Sequence, residues 1–121
     1  MTWDQIADEQ LGAAEDLLRS KTPRTRAICS RSYYATHALL AARAPVAMKF
    51  PSGWRNPSHD QIPGIVDGLS GVPKVAIKQA LARLRTLRTV ADYGVGFLIS
   101  KPQATRCVRD ANFIFREVRD G

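Results

Sequence analysis

Two histidines and thirteen arginines are the residues of this 121-residue chain best suited to chemistry on a phosphodiester. A guanidinium holds phosphate through a planar fork of donors, and an imidazole moves protons near neutral pH. Within RSYYATH, Arg31 and His37 stand six positions apart, a spacing that invites reading as a metal-independent ribonuclease pair. Counting speaks against it. With three admissible spacings, a chain of this composition yields about 0.6 such pairs by chance. Residues six apart on a helix are also turned by about 240° from one another, so the two side chains face different ways. His37 therefore reads as a hydrogen-bonded helix histidine beside Tyr33, Tyr34 and Leu40. His59, in RNPSH, stands at the expected start of a short helix, whose N-terminus favours the neutral imidazole. Two histidines are too few for a histidine-cluster metal site. Cys29 and Cys107 lie outside any CxxC pair and read as buried reduced thiols. No metal and no cofactor is expected.

Charge points the same way as the arginines. The net charge is +7, and it is unevenly spread. The first sixteen residues hold Asp4, Asp8, Glu9, Glu15 and Asp16 and no lysine or arginine. The remainder carries all eighteen basic residues against six acids, a balance of +12. A basic body of this kind meets nucleic acid or another polyanion through counterion release. Lys74, Lys78, Arg85, Arg88 and Asp92 recur at one or two helical turns, and Arg106, Arg109 and Arg116 do so further on, with Phe113 among them. Read as outward stripes, these suit a phosphate backbone, with aromatic residues interleaved for bases. The plain alternative is a solvated helix face.

The apolar spacing that must position these groups is helical almost throughout. A first helix is expected from Asp4 to Ser20, with Ile6, Ala13, Ala14, Leu17 and Leu18 near one face. Thr22-Pro23 reads as an N-cap and first turn of a second helix that ends at Ala44, before Pro45, with Ile28, Ser32, Ala35, Leu39 and Ala42 buried. Residues 45–58 carry three prolines and a glycine and read as an irregular connection. Ser58 or Asp60 caps a short third helix to Leu69. The fourth, from Pro73 to Tyr93, buries Ile77, Ala80, Leu81, Leu84, Leu87 and Ala91, and Gly94 is expected as its left-handed cap. The fifth, from Ser100 or Lys101 to Arg119, lines the inside with Ala104, Cys107, Val108, Ala111, Ile114, Phe115 and Val118. The expected fold is all-α: an antiparallel four-helix bundle with an additional short helix, in one domain over residues 1–121. No apolar run approaches the roughly 20 residues of a membrane span, and MTWDQIADEQ carries acids where a secretory leader carries basic residues. A reducing cytoplasm is the expected compartment.

With the helices placed, SRSYYATHALLAA resembles the SRxYYAxxHALLAA signature of bacterial HEPN-domain proteins, and LRTLRTVADYG is similar to that group's LxxLRxxADYG. Ser58-His59 matches a Thr/Ser-His that commonly opens the short third helix. Together the pieces span Thr22 to Arg116. The resemblance implies a helical bundle, frequent homodimers and association with RNA or nucleotides. Many members are metal-independent endoribonucleases of toxin–antitoxin or phage-defence systems, while others are non-catalytic partners of nucleotidyltransferases. The active-site arginine of the active members carries over onto Arg88, and Tyr93 matches a tyrosine that often comes after it. Their histidine does not carry over, because Asp92 occupies that place. YYATHA is also one residue shorter than the usual YYAxxHA, which turns the rest of the helix by about 100° unless the loss is absorbed locally.

The missing imidazole has a chemical consequence. An aspartate with an ordinary pKa near 4 is a poor general acid at neutral pH. Arg88 and Asp92, one turn apart, read as an ion pair, or as a pair that orients Tyr93. His59, brought by the fold toward the end of the fourth helix, is the candidate substitute, with His37 as the second candidate for the acid/base. The site expected from sequence is thus Arg88, His59, Asp92 and Tyr93, with Lys78, Arg85, Arg106 and Arg109 contacting RNA. The expected partners are RNA or a nucleotide and a cognate antitoxin or nucleotidyltransferase. The alternatives are a non-catalytic, antitoxin-type partner module that neutralises or presents a nucleotidyltransferase or another acidic protein, and a dimerising structural domain.

Overall fold

The computed structural model describes residues 1–45 and 57–120. Five α-helices make up the bundle: α1 (Trp3–Arg19), α2 (Thr25–Ala41), the short α3 (Ile62–Asp67), α4 (Lys74–Tyr93) and α5 (Lys101–Asp120). A 3-10 turn, His59–Gln61, leads into α3, and no strand occurs among the described residues. The all-α architecture expected from apolar spacing is the one observed. Most of the central connection, residues 46–56 of the stretch expected to be irregular, lies outside the described residues.

Helix α2 is the axis of the molecule and packs against α1, α3, α4 and α5. Its buried residues include Ile28, Cys29, Ser32, Tyr33, Ala35, Thr36, His37, Leu39 and Leu40, so one stripe has widened into most of the circumference. A helix apolar nearly all round belongs inside a bundle. Long-range ion pairs fix the senses of the outer helices. Arg43, just beyond the end of α2, reaches Asp4 at the start of α1 (3.1 Å), and Arg119 at the end of α5 reaches Asp8 (2.6 Å) and Asp4 (3.3 Å). Both pairs require antiparallel neighbours. They also show where part of the acidic N-terminal charge goes: three carboxylate contacts hold down the two helix ends. Arg43 and Arg119 outweigh the burial of Asp4 and hold its carboxyl below the usual range. Across the α4–α5 interface, Arg83 Nε and Nη2 donate to the two oxygens of Asp110 (3.1 and 2.9 Å), a forked pair.

Several boundaries and faces differ from the sequence-based expectation. Helix α1 is capped by Thr2, whose hydroxyl accepts from the Gln5 N–H (3.1 Å) while Gln5 Oε1 accepts from the Thr2 N–H (2.8 Å). Its buried residues are Ala7, Leu11 and Ala14, with Ile6, Leu17 and Leu18 at the edge. Helix α2 starts at Thr25 rather than Pro23, after Arg24, and stops at Ala41. In α4 the buried position expected of Leu87 passes to its neighbour Arg88, and Leu87 is only partly covered. Gly94 does not adopt the left-handed conformation: its φ is −81°, and Gly96 two residues on has φ 84°. Glycine is required at 94 for a different reason. A Cβ there would lie 2.7 Å from the Val90 carbonyl oxygen. The cysteines are buried free thiols on α2 and α5, with their Sγ atoms 3.0 Å apart.

Candidate active site

The apolar stripe of α4 carries one cation inward. Arg88 is only 6% exposed, and burying a guanidinium demands compensation. Aromatic rings supply it. The Arg88 Cζ lies 5.1 Å from the Tyr33 ring centre, 5.8 Å from that of Tyr34 and 6.0 Å from that of Tyr93. The consecutive tyrosines of α2, packed edge to face at 5.5 Å, form one wall, and the last residue of α4 forms the other. Each ring face offers negative quadrupole to the cation. Its ionic partner is weaker: Arg88 Nη1 and Asp92 Oδ2 stand 3.6 Å apart, beyond hydrogen-bond length. The Arg88 Nε has no hydrogen-bond partner among the described residues, nor does the buried Ser32 Oγ. The guanidinium is thus held by stacking together with Asp92 and the Tyr33 side chain, and its buried Nε is left without a partner.

The second group of the site arrives from the 3-10 turn. Ser58 caps it, its N–H donating to Gln61 Oε1 (2.8 Å), which fixes the backbone that carries His59. Tyr33 Oη and His59 Nδ1 are hydrogen-bonded at 2.5 Å, and the rings lie 5.3 Å apart. Tyr33 is therefore shared: its ring supports Arg88 and its hydroxyl orients the imidazole. His59 titrates below the ordinary histidine range, first through burial, then through the positive charge of Arg88, the neighbouring His37 and Arg85, with Asp60 opposing. Its neutral form agrees with the sequence-based expectation, although burial and cations, rather than a helix terminus, are the main causes. Burial also lifts the Tyr33 phenol above its usual range, partly offset by Arg88 and Arg85.

Arg31 and His37 go to different surroundings, as their spacing implied. Arg31 is exposed and donates to Gln10 Oε1 (3.1 Å). His37 is buried, with its ring 5.4 Å from that of His59. A carbonyl can only accept, so the 2.8 Å bond from His37 Nε2 to the Pro57 oxygen fixes the proton on Nε2. Burial, and then Arg88, lowers its pKa despite that bond. His37 is thus a neutral strut beneath His59.

A cavity of about 120 Å³ opens beside the imidazole, lined by Tyr33, His59, Lys78, Leu81, Ala82 and Arg85. Two of the four cations expected to meet RNA therefore share the space of His59. Each has an acidic partner as well: Lys78 pairs with Asp67, and Arg85 donates to Asp60 (3.1 Å). Arg106 lies elsewhere, in a groove of about 550 Å³ between α4 and α5 with Arg83, Thr86 and Leu87. Arg109 is exposed on α5 and lines neither space. The continuous outward stripe expected on α4 is broken, since Arg88 points inward.

Two contributors had no role in the sequence-based site. Tyr33 was legible only as part of a signature. The available signal was a tyrosine on the buried side of a helix, whose hydroxyl must find a partner. Arg26 left no local signal. Its guanidinium donates to the carbonyls of Val90 (3.2 Å), Ala91 (2.8 Å), Gly94 (2.5 Å) and Phe97 (2.7 Å), capping the end of α4 from α2. It thereby sets the helix end that carries Asp92 and Tyr93. No group of three or more potential metal ligands occurs among the described residues, and none of their helices is long and apolar enough to cross a membrane.

Compared with known families, residues 1–120 match the model described as HEPN domain. No curated protein and no solved structure matched the chain. The family match spans both stretches that carried the resemblance, the YYATHA segment on α2 and the LRTVADYG segment on α4, and the observed helices place them against one another around Arg88. The chain belongs to the HEPN domain family.

Proposed function

We propose that the protein binds RNA and cleaves it without a metal, as the toxin or effector of a toxin–antitoxin or phage-defence system. The observation that carries this reading is the buried Arg88 guanidinium, stacked on Tyr33, Tyr34 and Tyr93 and set beside an imidazole that Tyr33 holds. Asp92 stands where other members have a histidine, and His59 supplies the imidazole from another element.

In the proposed reaction the ribose 2′-hydroxyl attacks the adjacent phosphorus and the 5′-oxygen leaves, giving a cyclic phosphate and a free 5′-hydroxyl. Arg88 faces the charge that develops on the phosphorane oxygens. His59 takes the proton from the 2′-hydroxyl and returns it to the leaving oxygen. Tyr33 suits both halves of that cycle. Its hydroxyl accepts from Nδ1–H, which leaves Nε2 bare as the base, and it goes on accepting once Nε2 has taken the proton and the imidazolium is the acid. Lys78 and Arg85 border the same cavity and attract the backbone, with Arg106 and Arg109 further along it.

Incubation of single-stranded RNA with the purified chain in excess EDTA tests this. The expected result is cleavage to cyclic-phosphate ends, abolished by Arg88→Ala and strongly reduced by His59→Ala. Full activity in His59→Ala removes His59 from the mechanism, and RNA left intact by the wild-type chain refutes the nuclease reading.

A second reading rests on the α4–α5 connection. Val95 (93% exposed), Leu98 (95%), Tyr93 and Phe97 present apolar surface there. That surface suits a protein partner, whether a second copy or an antitoxin such as a nucleotidyltransferase. Co-purification with a neighbour-encoded protein, lost in Leu98→Glu, is its expected sign.

A further inference from the structure

Beside the Arg88 site lies a recess of about 410 Å³ between α1, α2 and the end of α4, bordered by Gln10, Ser30, Arg31, Tyr34 and Asp92. Two of these residues belong to both spaces. Tyr34 stacks on Arg88, and Asp92 stands next to its guanidinium. We infer that this recess is a guanine subsite, which reads the base of the nucleotide next to the phosphate held by Arg88. The inference rests on the RNA reading above and adds the base it selects.

Three features of the recess match a guanine edge. First, Asp92 is an exposed residue whose side chain keeps about a quarter of its surface accessible, and its carboxylate accepts no hydrogen bond from any described residue. A carboxylate offers acceptors only, and among the four bases only guanine presents two adjacent donors, N1–H and the 2-amino group, without an acceptor between them. Adenine and cytosine present an acceptor ring nitrogen beside their amino group, and uracil flanks its single N–H with two carbonyls; each sets a lone pair against the carboxylate. Second, Gln10 Oε1 already accepts from Arg31 Nη1 (3.1 Å), so what these two recess-lining side chains have left to offer is donors, and guanine O6 supplies the acceptor. Adenine carries a donor there. Third, Tyr34 is 37% exposed and gives a partly open aromatic ring on which the base stacks. Arg26 also lines the recess but does not compete, because its donors are spent on four backbone carbonyls.

The test is binding of guanosine 3′-monophosphate and adenosine 3′-monophosphate to the whole chain by isothermal titration calorimetry, which requires no cleavage. Guanosine 3′-monophosphate is expected to bind about tenfold more tightly or better, the discrimination of one good bidentate contact. In Asp92→Asn the two nucleotides should fall to within about twofold of each other, because the amide places a donor against the guanine donors. Gln10→Leu should erode the preference as well, and it serves if Asp92→Asn does not fold. Arg88→Ala should weaken both nucleotides equally and leave their ratio intact. Equal affinities in the wild-type chain, no binding of either nucleotide at millimolar concentration, or a preference that survives both Asp92→Asn and Gln10→Leu overturns the inference. A guanine preference that appears without any cleavage of RNA refutes the nuclease reading alone.

Discussion

Replacing Tyr33 by phenylalanine removes one oxygen and separates the two duties of that side chain. The ring that supports Arg88 at 5.1 Å stays, and the 2.5 Å bond to His59 Nδ1 goes. A neutral hydrogen bond is worth about 1 kcal/mol net, and an orphaned buried partner costs up to about 3 kcal/mol. His59 is only half-buried, so water reaches the vacated position and the lower figure applies. For a domain of this size, about 1 kcal/mol lowers Tm by roughly 3–6 °C. Catalysis should suffer more than stability. General acid–base catalysis contributes about 10²–10⁴-fold, and an imidazole free to turn keeps only part of it, so kcat should fall about 10–100-fold. KM should stay within about twofold, because Arg88 keeps its stacked seat. The matching assay is metal-free RNA cleavage across pH 5–9, with thermal unfolding of the same sample as control. The acidic limb of the profile reports His59, which titrates below its ordinary range because of burial and the nearby cations. A Tyr33→Phe protein that cuts at the wild-type rate, with an unmoved acidic limb, refutes the claim that this hydroxyl positions the imidazole.

The contacts of Arg26 and of the two histidines give two further outcomes. Arg26→Ala strips the cap from four carbonyls at the end of α4 and should cost about 2–4 kcal/mol in urea unfolding, with Arg26→Lys recovering less than half because an ammonium lacks the fork; an unchanged midpoint contradicts the capping role. Both histidines have folded pKa values below their unfolded ones, so the unfolded chain binds more protons and stability is lost as pH falls through 6.5 toward the folded values. Each pH unit of depression corresponds to about 1.4 kcal/mol. His37→Gln keeps a donor for the Pro57 oxygen without titrating, and should flatten the decline in Tm between pH 7 and 5; a profile as steep as wild type places the effect elsewhere.

Helix positions were legible because their apolar residues recur at helical spacing, and α4 and α5 lie within a residue or so of their expected bounds. Faces were less legible. Helical periodicity cannot distinguish Leu87 from Arg88 where three tyrosines make the inner position hospitable to a cation. The start of α2 was misplaced because Thr22-Pro23 has the composition of a cap, whereas Arg24 occupies the cap position. Within the candidate site, the nearness of His59 to Arg88 was anticipated only through the family resemblance. Nothing in the spacing of residues 59 and 88 encodes it, since the packing of α2 against α3 and α4 creates it. Tyr33 and Arg26 act across 26 and about 64–71 positions of chain, distances over which local pattern carries no information.

The thiols of Cys29 and Cys107 give the bundle an internal stopwatch. They sit face to face on α2 and α5, helices far apart in the chain, and the core covers both. Fraying of a terminus or opening of the α4–α5 connection does not uncover them; only parting of the central helix from the last one does. Alkylation in the native buffer therefore runs at the pace of whole-bundle opening. It dates each excursion of the fold without denaturant, and a ligand seated around Arg88 should slow it in proportion to how tightly it binds.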